Sequence, residues 1–294
     1  MTTTDTTHGI EGSGSSGSSD GDDSGRVVLE GRHLVKEYPA GTRRGLLRRQ
    51  ETMRAVDDVS LRLVQGRVTA LVGQSGSGKS TLGRMLARLI PTTSGEILLE
   101  GRAVPASTSS GHREYVGDVQ LTLQDPFASL NPLRRIAYTL GRAVRIHQSA
   151  RGTEEVHARC LELLERLGLT PAERYLDRFP HELSGGERQR VSFARALAAS
   201  PKVLIADEPV SMLDVTIRKE MLDLIDALRR DEDLAVLYIT HDLGSARRYS
   251  DEVMVMHQGR VVESGESRSV IDDPQEEYTR RLLAAAPDPA SRLR

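Results

Sequence analysis

The sequence predicts an α/β fold: a core of parallel strands with a block of helices inserted into it. Three observations carry this. First, Val68-Thr69-Ala70-Leu71-Val72, Val203-Leu204-Ile205-Ala206 and Ala235-Val236-Leu237-Tyr238-Ile239 are continuous apolar runs, the pattern of strands covered on both faces. Second, a glycine-rich segment, Gly73 to Ser80, separates the first run from a helical one, Thr81 to Ala87, giving a strand–loop–helix unit. Third, from about Asp125 to Glu182 the periodicity turns helical. Within it, Glu154 to Leu169 places Val156, Cys160, Leu163, Leu164 and Leu167 on one face.

Taken in order, Met1 to Gly25 is Thr, Ser, Gly and Asp with almost nothing apolar, so a disordered tail is expected there. Structure begins near Arg26. Val27-Val28-Leu29-Glu30 starts one strand and Ala55 to Leu61 forms another. Between them, Arg43-Arg44-Gly45-Leu46-Leu47-Arg48-Arg49 reads first as a solvated hairpin loop and second as a docking patch for acidic lipid headgroups. Gly95 to Gly101 is a short strand closed by a glycine turn. A helix returns from Val191, followed by the later apolar strands.

Composition narrows the classes. The 294 residues suffice for one large or two small domains. Lys+Arg number 40 and Asp+Glu 42, a net charge of −2, which gives no whole-chain argument for nucleic acid. Tryptophan is absent and aromatics are 3%, so stacking platforms for single strands are scarce. Cys160, the single cysteine, can form no internal disulfide, which fits a reducing compartment and a small core residue. There is no signal-peptide-type segment and no run near the roughly 20 apolar residues of a membrane helix. A cytoplasmic protein is expected, reaching a membrane only through partners.

Gly73-Gln74-Ser75-Gly76-Ser77-Gly78-Lys79-Ser80 matches the phosphate-binding pattern G-x-x-x-x-G-K-[ST]. Glycines let successive N–H groups turn toward an anion, and the following helix presents its positive end. Lys79 can reach β- and γ-phosphate oxygens, and the Ser80 hydroxyl can ligate Mg²⁺. Val203 to Ala206 runs into Asp207-Glu208, at a strand end where such sheets present ligands. There Asp207 is placed for the Mg²⁺ shell and Glu208 for orienting or deprotonating an attacking water. An N-cap acid before a turn at Pro209 would look alike; the phosphate loop decides for the metal reading. Leu183-Ser184-Gly185-Gly186-Glu187-Arg188-Gln189-Arg190 opens a helix with a hydroxyl and free N–H groups, a second anion site. One nucleotide rarely needs both, so this element is expected to complete another subunit's nucleotide site.

The loop at Gly73, the Leu183–Glu187 segment and the Asp207-Glu208 strand, in that order, resemble the ATPase subunit of an ABC transporter. The Ser-Gly-Gly element is similar to the signature motif of that family, with Glu187 where its commonest form has glutamine. The resemblance runs from about Val27 to Pro287. It implies a phosphate-loop NTPase core of RecA-like type, an antiparallel β subdomain and an inserted α-helical subdomain. It implies ATP and Mg²⁺ as ligands. Gln124 resembles the Q-loop glutamine, which touches Mg²⁺ and the attacking water and faces the membrane subunit. Ser211-Met212-Leu213-Asp214 resembles the D-loop, which crosses to the partner ATPase. His241 resembles the switch histidine at the γ-phosphate, and Tyr38 the aromatic that stacks on adenine. The nucleotide-binding set is then Tyr38, Gly73 to Thr81 (with Lys79 also catalytic) and, from a second subunit, Ser184, Gly185 and Gly186. Ser80, Gln124 and Asp207 are the metal set, and Glu208, His241 and Gln124 act in catalysis.

Leu123 to Pro132, Arg178 to Glu182 and Tyr278-Thr279-Arg280-Arg281-Leu282-Leu283-Ala284-Ala285 are similar to the oligopeptide and dipeptide importers. The segment near the C-terminus carries no cysteine, so no metal cluster is expected there. The resemblance divides the chain into a tail (1–25), an ATPase core (26–123 and 191–265), a helical subdomain (124–190) and a C-terminal extension (266–294). Implied partners are a second ABC ATPase subunit, two transmembrane permease subunits and, indirectly, an extracytoplasmic solute-binding protein, with no nucleic acid. The implied location is the cytoplasmic face of the membrane. Two competitors are a soluble ABC-type ATPase acting on nucleic acid or ribosomes, and a non-hydrolysing nucleotide-binding subunit. The first lacks visible coiled coils or zinc modules. The second conflicts with intact Lys79, Asp207 and Glu208.

Overall fold

Two sheets share one set of strand rules. In a computed structural model, which describes residues 25–40, 51–104, 110–125, 129–148 and 152–285, β1 (Val27–Ala40) pairs antiparallel with β2 (Glu51–Val64). On its other side β1 pairs with β4 (Ser94–Leu99), which takes the two-residue β5 (Arg102–Ala103). The expected tail up to residue 24, the Arg43–Arg49 segment, Pro126 to Ala128 and the stretch after residue 285 lie outside the described residues.

The second sheet has six strands. Its members are β3 (Val68–Val72), β6 (Val119–Thr122), β7 (Val203–Asp207), β8 (Ala235–Thr240), β9 (Glu252–His257) and β10 (Arg260–Glu266), in the order β10-β9-β3-β8-β7-β6. All neighbours are parallel except the β9–β10 hairpin at one edge. The apolar runs at β3, β7 and β8 are buried at every position, because both faces of this sheet are covered. Successive side chains alternate between two cores, as the two-residue period of a strand dictates. Val68, Ala70, Val72, Leu204, Ala206, Val236, Tyr238, Val253 and Val255 face the helical side. Leu71, Val203, Ile205, Leu237, Ile239, Met254 and Met256 face the antiparallel sheet and α1 (Lys79–Leu86), which this core sandwiches. β6 holds only Val119 and Leu121 as apolar residues, so its strand character comes from pairing with β7.

Beyond β6 come α3 (Ile136–His147), α4 (Thr153–Arg166), α5 (Ala172–Leu176) and α6 (Gly185–Leu197), with α2 (Ser110–Asp118) before it. α3 packs on α4 and α6, and α4 on α5. The apolar face expected of α4 is the buried one: Val156, Cys160, Leu163, Leu164 and the following Leu167 are all in the core. α6 runs unbroken to Leu197, so the expected division after residue 190 falls inside one helix. α7 (Val215–Glu232), α8 (Leu243–Tyr249), α9 (Ser267–Asp272) and α10 (Glu277–Ala285) complete the chain. This is the α/β architecture with inserted helices that the sequence predicts. Among the described residues no helix is long and apolar enough to cross a membrane.

Candidate functional site

The C-terminal ends of four parallel strands converge. β3 delivers the loop at Gly73, β7 delivers Asp207-Glu208, His241 follows β8 and Gln124 lies two residues beyond β6. Open α/β sheets bind ligands at this edge. The loop can take its course only as glycine at two points. A Cβ on Gly73 would stand 2.2 Å from the Met256 carbonyl oxygen. One on Gly78, at φ +107°, would stand 2.2 Å from that of Ala55. Gly78 also begins α1 without any side-chain cap, which leaves the helix's first N–H groups for an anion.

Lys79 is 5% exposed and its Nζ donates to the carbonyl oxygens of Gly73 (2.8 Å) and Gln74 (2.9 Å). Burial pushes its pKa down, and the carboxylates of Glu208 and Asp207 oppose that. The Ser80 hydroxyl donates to Asp207 Oδ1 at 2.9 Å. Burial pushes the Asp207 carboxyl above its ordinary value, aided by the Glu208 charge and opposed by the Ser80 hydrogen bond. The Gln124 amide donates to Glu208 Oε2 at 2.9 Å, and His241 Nδ1 lies 3.4 Å from Oε1 of the same carboxylate. Glu208 holds a left-handed backbone (φ 46°), with its N–H donated to the Ile239 carbonyl.

These groups enclose a cleft of about 520 Å³ lined by Ser75, Gly76, Gly78, Lys79, Ser80, Thr81, Gln124, Glu208 and His241. It brings together a buried ammonium, free helix-terminal N–H groups, and a carboxylate with a glutamine and a histidine on its two oxygens. That set fits a polyphosphate: the cradle is closed to a Cβ at Gly73 and Gly78, and the lysine is already turned onto the loop. Mg²⁺ has two oxygen donors in reach of each other, Ser80 and Asp207, as a hard cation requires. Gly73, Gln74 and Ser77 form the back of the loop. The Ser77 hydroxyl is buried and without a partner.

Tyr38 and the Ser184–Gly186 element do not line this cleft. Tyr38 is half-buried on β1, with Lys36 Nζ 5.2 Å from its ring centre. Ser184 is exposed and caps α6. Its hydroxyl oxygen accepts from the Glu187 N–H (3.3 Å) while the Glu187 carboxylate accepts from the Ser184 N–H (2.7 Å). This is the reciprocal capping box of S-x-x-E sequences. Burial opposes the Glu187 charge, but hydrogen bonds from Ser184 and Tyr175 outweigh it and hold the carboxyl below its ordinary value. Glu187 accepts on both carboxylate oxygens, from the Tyr175 hydroxyl (3.0 Å) and the Ser184 N–H, whereas glutamine would offer one acceptor oxygen and could keep the Ser184 bond. Accepting at its oxygen, the Ser184 hydroxyl still has its proton to donate. Gly186 is closed by Ile217, 2.8 Å from its would-be Cβ. Ser211, in the segment expected to form a D-loop, donates its hydroxyl to the Glu208 carbonyl (3.1 Å), tying that segment to the cleft. Asp214 caps α7 through the Ile217 N–H (3.0 Å), and Met212 stands 65% exposed beside it.

One contact has no signal in the motifs: the Gln74 N–H donates to the Tyr278 hydroxyl (3.3 Å) across 204 positions of sequence.

A protein-family model described as ABC transporter matches residues 56–211. The glutathione import ATP-binding protein GsiA of Escherichia coli is 46% identical over 264 residues, and that of Salmonella typhi 42%. Each alignment covers 90% of this chain and 42% of the relative, so the chain spans about two fifths of the length of these curated relatives. Among solved structures, cbiO1 from Clostridium perfringens, part of the ABC transporter complex cbiONQ, superposes with a TM-score of 0.72 at 26% identity, over 91% of this chain and 99% of that one. The dimeric ATP-binding cassette MJ0796, bound to ADP and Pi, gives 0.70 at 26% identity over 82% and 99%.

Proposed function

Since the chain belongs to the ABC transporter family, we propose that it is the ATP-hydrolysing subunit that energises an importer of peptide-like solutes. The observation that carries this is the cleft in which Lys79, Ser80 and Glu208 meet, with buried Asp207 bonded to Ser80 behind its wall and Gln124 and His241 on the two oxygens of Glu208. ATP lies along the loop from Gly73 to Thr81, with Tyr38 as the adenine contact. Ser184, Gly185 and Gly186 lie outside this cleft, which supports their serving the nucleotide of a second ATPase subunit. Glu208 accepts a proton from the attacking water as the water oxygen bonds to the γ-phosphorus and the bond to ADP breaks. Lys79 and the N–H groups at the start of α1 offset the charge that develops. Bound at Ser80 and Asp207, with Gln124 nearby, Mg²⁺ would supply further neutralisation of the phosphates. Gln124 and the helices α3 to α5 pass closure to a pair of permease subunits, which place the chain on the cytoplasmic face of a membrane. An extracytoplasmic solute-binding protein delivers the cargo. The importer class rests on the likeness to GsiA, whose name gives glutathione import.

The test is Glu208→Gln in the full chain. Removal of a general base of this kind lowers turnover by about 10²–10⁴-fold, while MgATP binding should persist. Phosphate release at the wild-type rate would overturn the assignment. ATPase stimulation by DNA or RNA, rather than by permease subunits in vesicles, would favour a nucleic-acid ATPase instead.

A further inference from the structure

The helix α10 lies outside the cleft, yet its first turn touches the phosphate loop. Tyr278 stacks on His257, ring centres 3.8 Å apart and planes 19° apart, and its hydroxyl accepts the Gln74 N–H. His257 follows Met256, whose carbonyl presses on Gly73. In the same β9–β10 turn, the Gly259 N–H donates to the Ser77 carbonyl at 2.9 Å. The loop is thus held from behind at its entry by Tyr278 and Gly73 and at its middle by Gly259. α10 is itself anchored. The Glu263 carboxylate of β10 accepts the N–H groups of Gln275 (2.7 Å) and Glu276 (3.3 Å), Thr279 is fully buried, and Leu282 and Leu283 pack on the core.

We propose that Tyr278 is a positioning residue for the nucleotide: it ties the entry of the phosphate loop to the C-terminal helix, so that affinity for ATP depends on α10. The proposal rests on the reading of residues 73 to 81 as the ATP site. An anion cradle made of backbone N–H groups binds tightly only if the backbone is held in its bound shape before the ligand arrives. The Gln74 N–H is the sole donor in the loop's first turn that a distant helix engages among the described residues. Without the tyrosine hydroxyl, the loop entry gains alternatives that binding must then suppress.

The experiment compares the full-length wild type with Tyr278→Phe, His257→Ala, the double variant and Lys79→Ala. It measures MgATP dissociation constants, steady-state kinetics and amide exchange at Gln74. Loss of one neutral hydrogen bond corresponds to roughly a three- to tenfold change in an equilibrium constant. Tyr278→Phe should therefore weaken MgATP binding and raise KM by about that factor, with kcat at saturation within about twofold of wild type. It should also speed exchange of the Gln74 amide without nucleotide. His257→Ala, which removes the ring's platform, should act in the same direction, and the double variant should show less than the product of the single effects. Unchanged affinity and unchanged Gln74 exchange in Tyr278→Phe would overturn the proposal, whether or not its melting temperature falls. Lys79→Ala separates the two readings. If it abolishes binding while Tyr278→Phe has no effect, the tyrosine assignment alone fails. If Lys79→Ala binds MgATP as wild type does, the ATP-site reading fails and takes this one with it.

Discussion

Glu208 shows how a single residue can be set against its own preferences. Its left-handed backbone (φ 46°) is a conformation that costs a non-glycine residue on the order of 1–3 kcal/mol. The N–H bond to Ile239 and the Gln124 and His241 contacts hold it there, and the carboxylate consequently faces the loop. The residue type was legible in sequence as the second acid after an apolar strand. The backbone strain was not, because it depends on a neighbouring strand. Gly78 is the opposite case: the glycine is part of the motif, and the structure supplies the reason. Gly78→Ala would bring a Cβ to 2.2 Å from the Ala55 carbonyl at a φ that disfavours alanine. It should abolish MgATP binding in a titration and lower stability by at least about 1–3 kcal/mol in a denaturant melt. A variant that binds nucleotide normally would show that the loop has another shape.

At the scale of elements, α6 carries its start signal in sequence. Ser184 followed three positions later by Glu187 is a capping box, and the two reciprocal bonds are present. Losing a serine N-cap costs about 1 kcal/mol, so Ser184→Ala should lower stability by that amount, read as a shift in the urea midpoint. MgATP affinity of the monomer should stay unchanged, since Ser184 lies outside the chain's own cleft. A loss of monomer affinity would place the serine in the wrong site. Other elements were less legible. β6 has two apolar residues in four and is a strand because β7 offers it a free edge. The sequence marks α10 only through the resemblance of Tyr278 to Ala285 to peptide importers, and only its docking on β10 and His257 shows what it touches.

Across the whole molecule, the antiparallel sheet is tied to the parallel one by charge as well as by apolar packing. Asp57 on β2 accepts from Arg260 on β10 and from Arg54, each at 2.7 Å. Hydrogen bonds from Arg260 and then Arg54 hold its carboxyl below the ordinary value of 3.8, against the effect of burial. A carboxyl lowered in the folded state stabilises above its unfolded pKa and loses that contribution as pH falls through the folded value. The melting temperature of Asp57→Asn should therefore lie below wild type near neutral pH, and the gap should close below about pH 4. A gap that persists at lower pH would assign the effect to packing. The proposed pairing with a second ATPase subunit, the same or a homologous chain, makes a prediction of the same scale. Glu208→Gln with MgATP should elute as a dimer, and adding Ser184→Ala should weaken that dimer. Monomeric elution of Glu208→Gln at saturating MgATP would argue against a site shared between two copies of this chain and leave a homologous partner as the second subunit.

The sequence by itself determined the α/β class, the phosphate loop and the chemistry available at Lys79, Asp207 and Glu208. These are local facts: a buried parallel strand must be apolar throughout, and an anion cradle of backbone N–H groups needs glycine at defined steps. Tertiary structure alone decided which side chains meet. Gln124, Glu208 and His241 come from three different strand ends, and Tyr278 reaches Gln74 from 204 residues away. Spacing along a chain carries no record of such contacts, because the sheet order that creates them is set by the burial of both faces of every central strand.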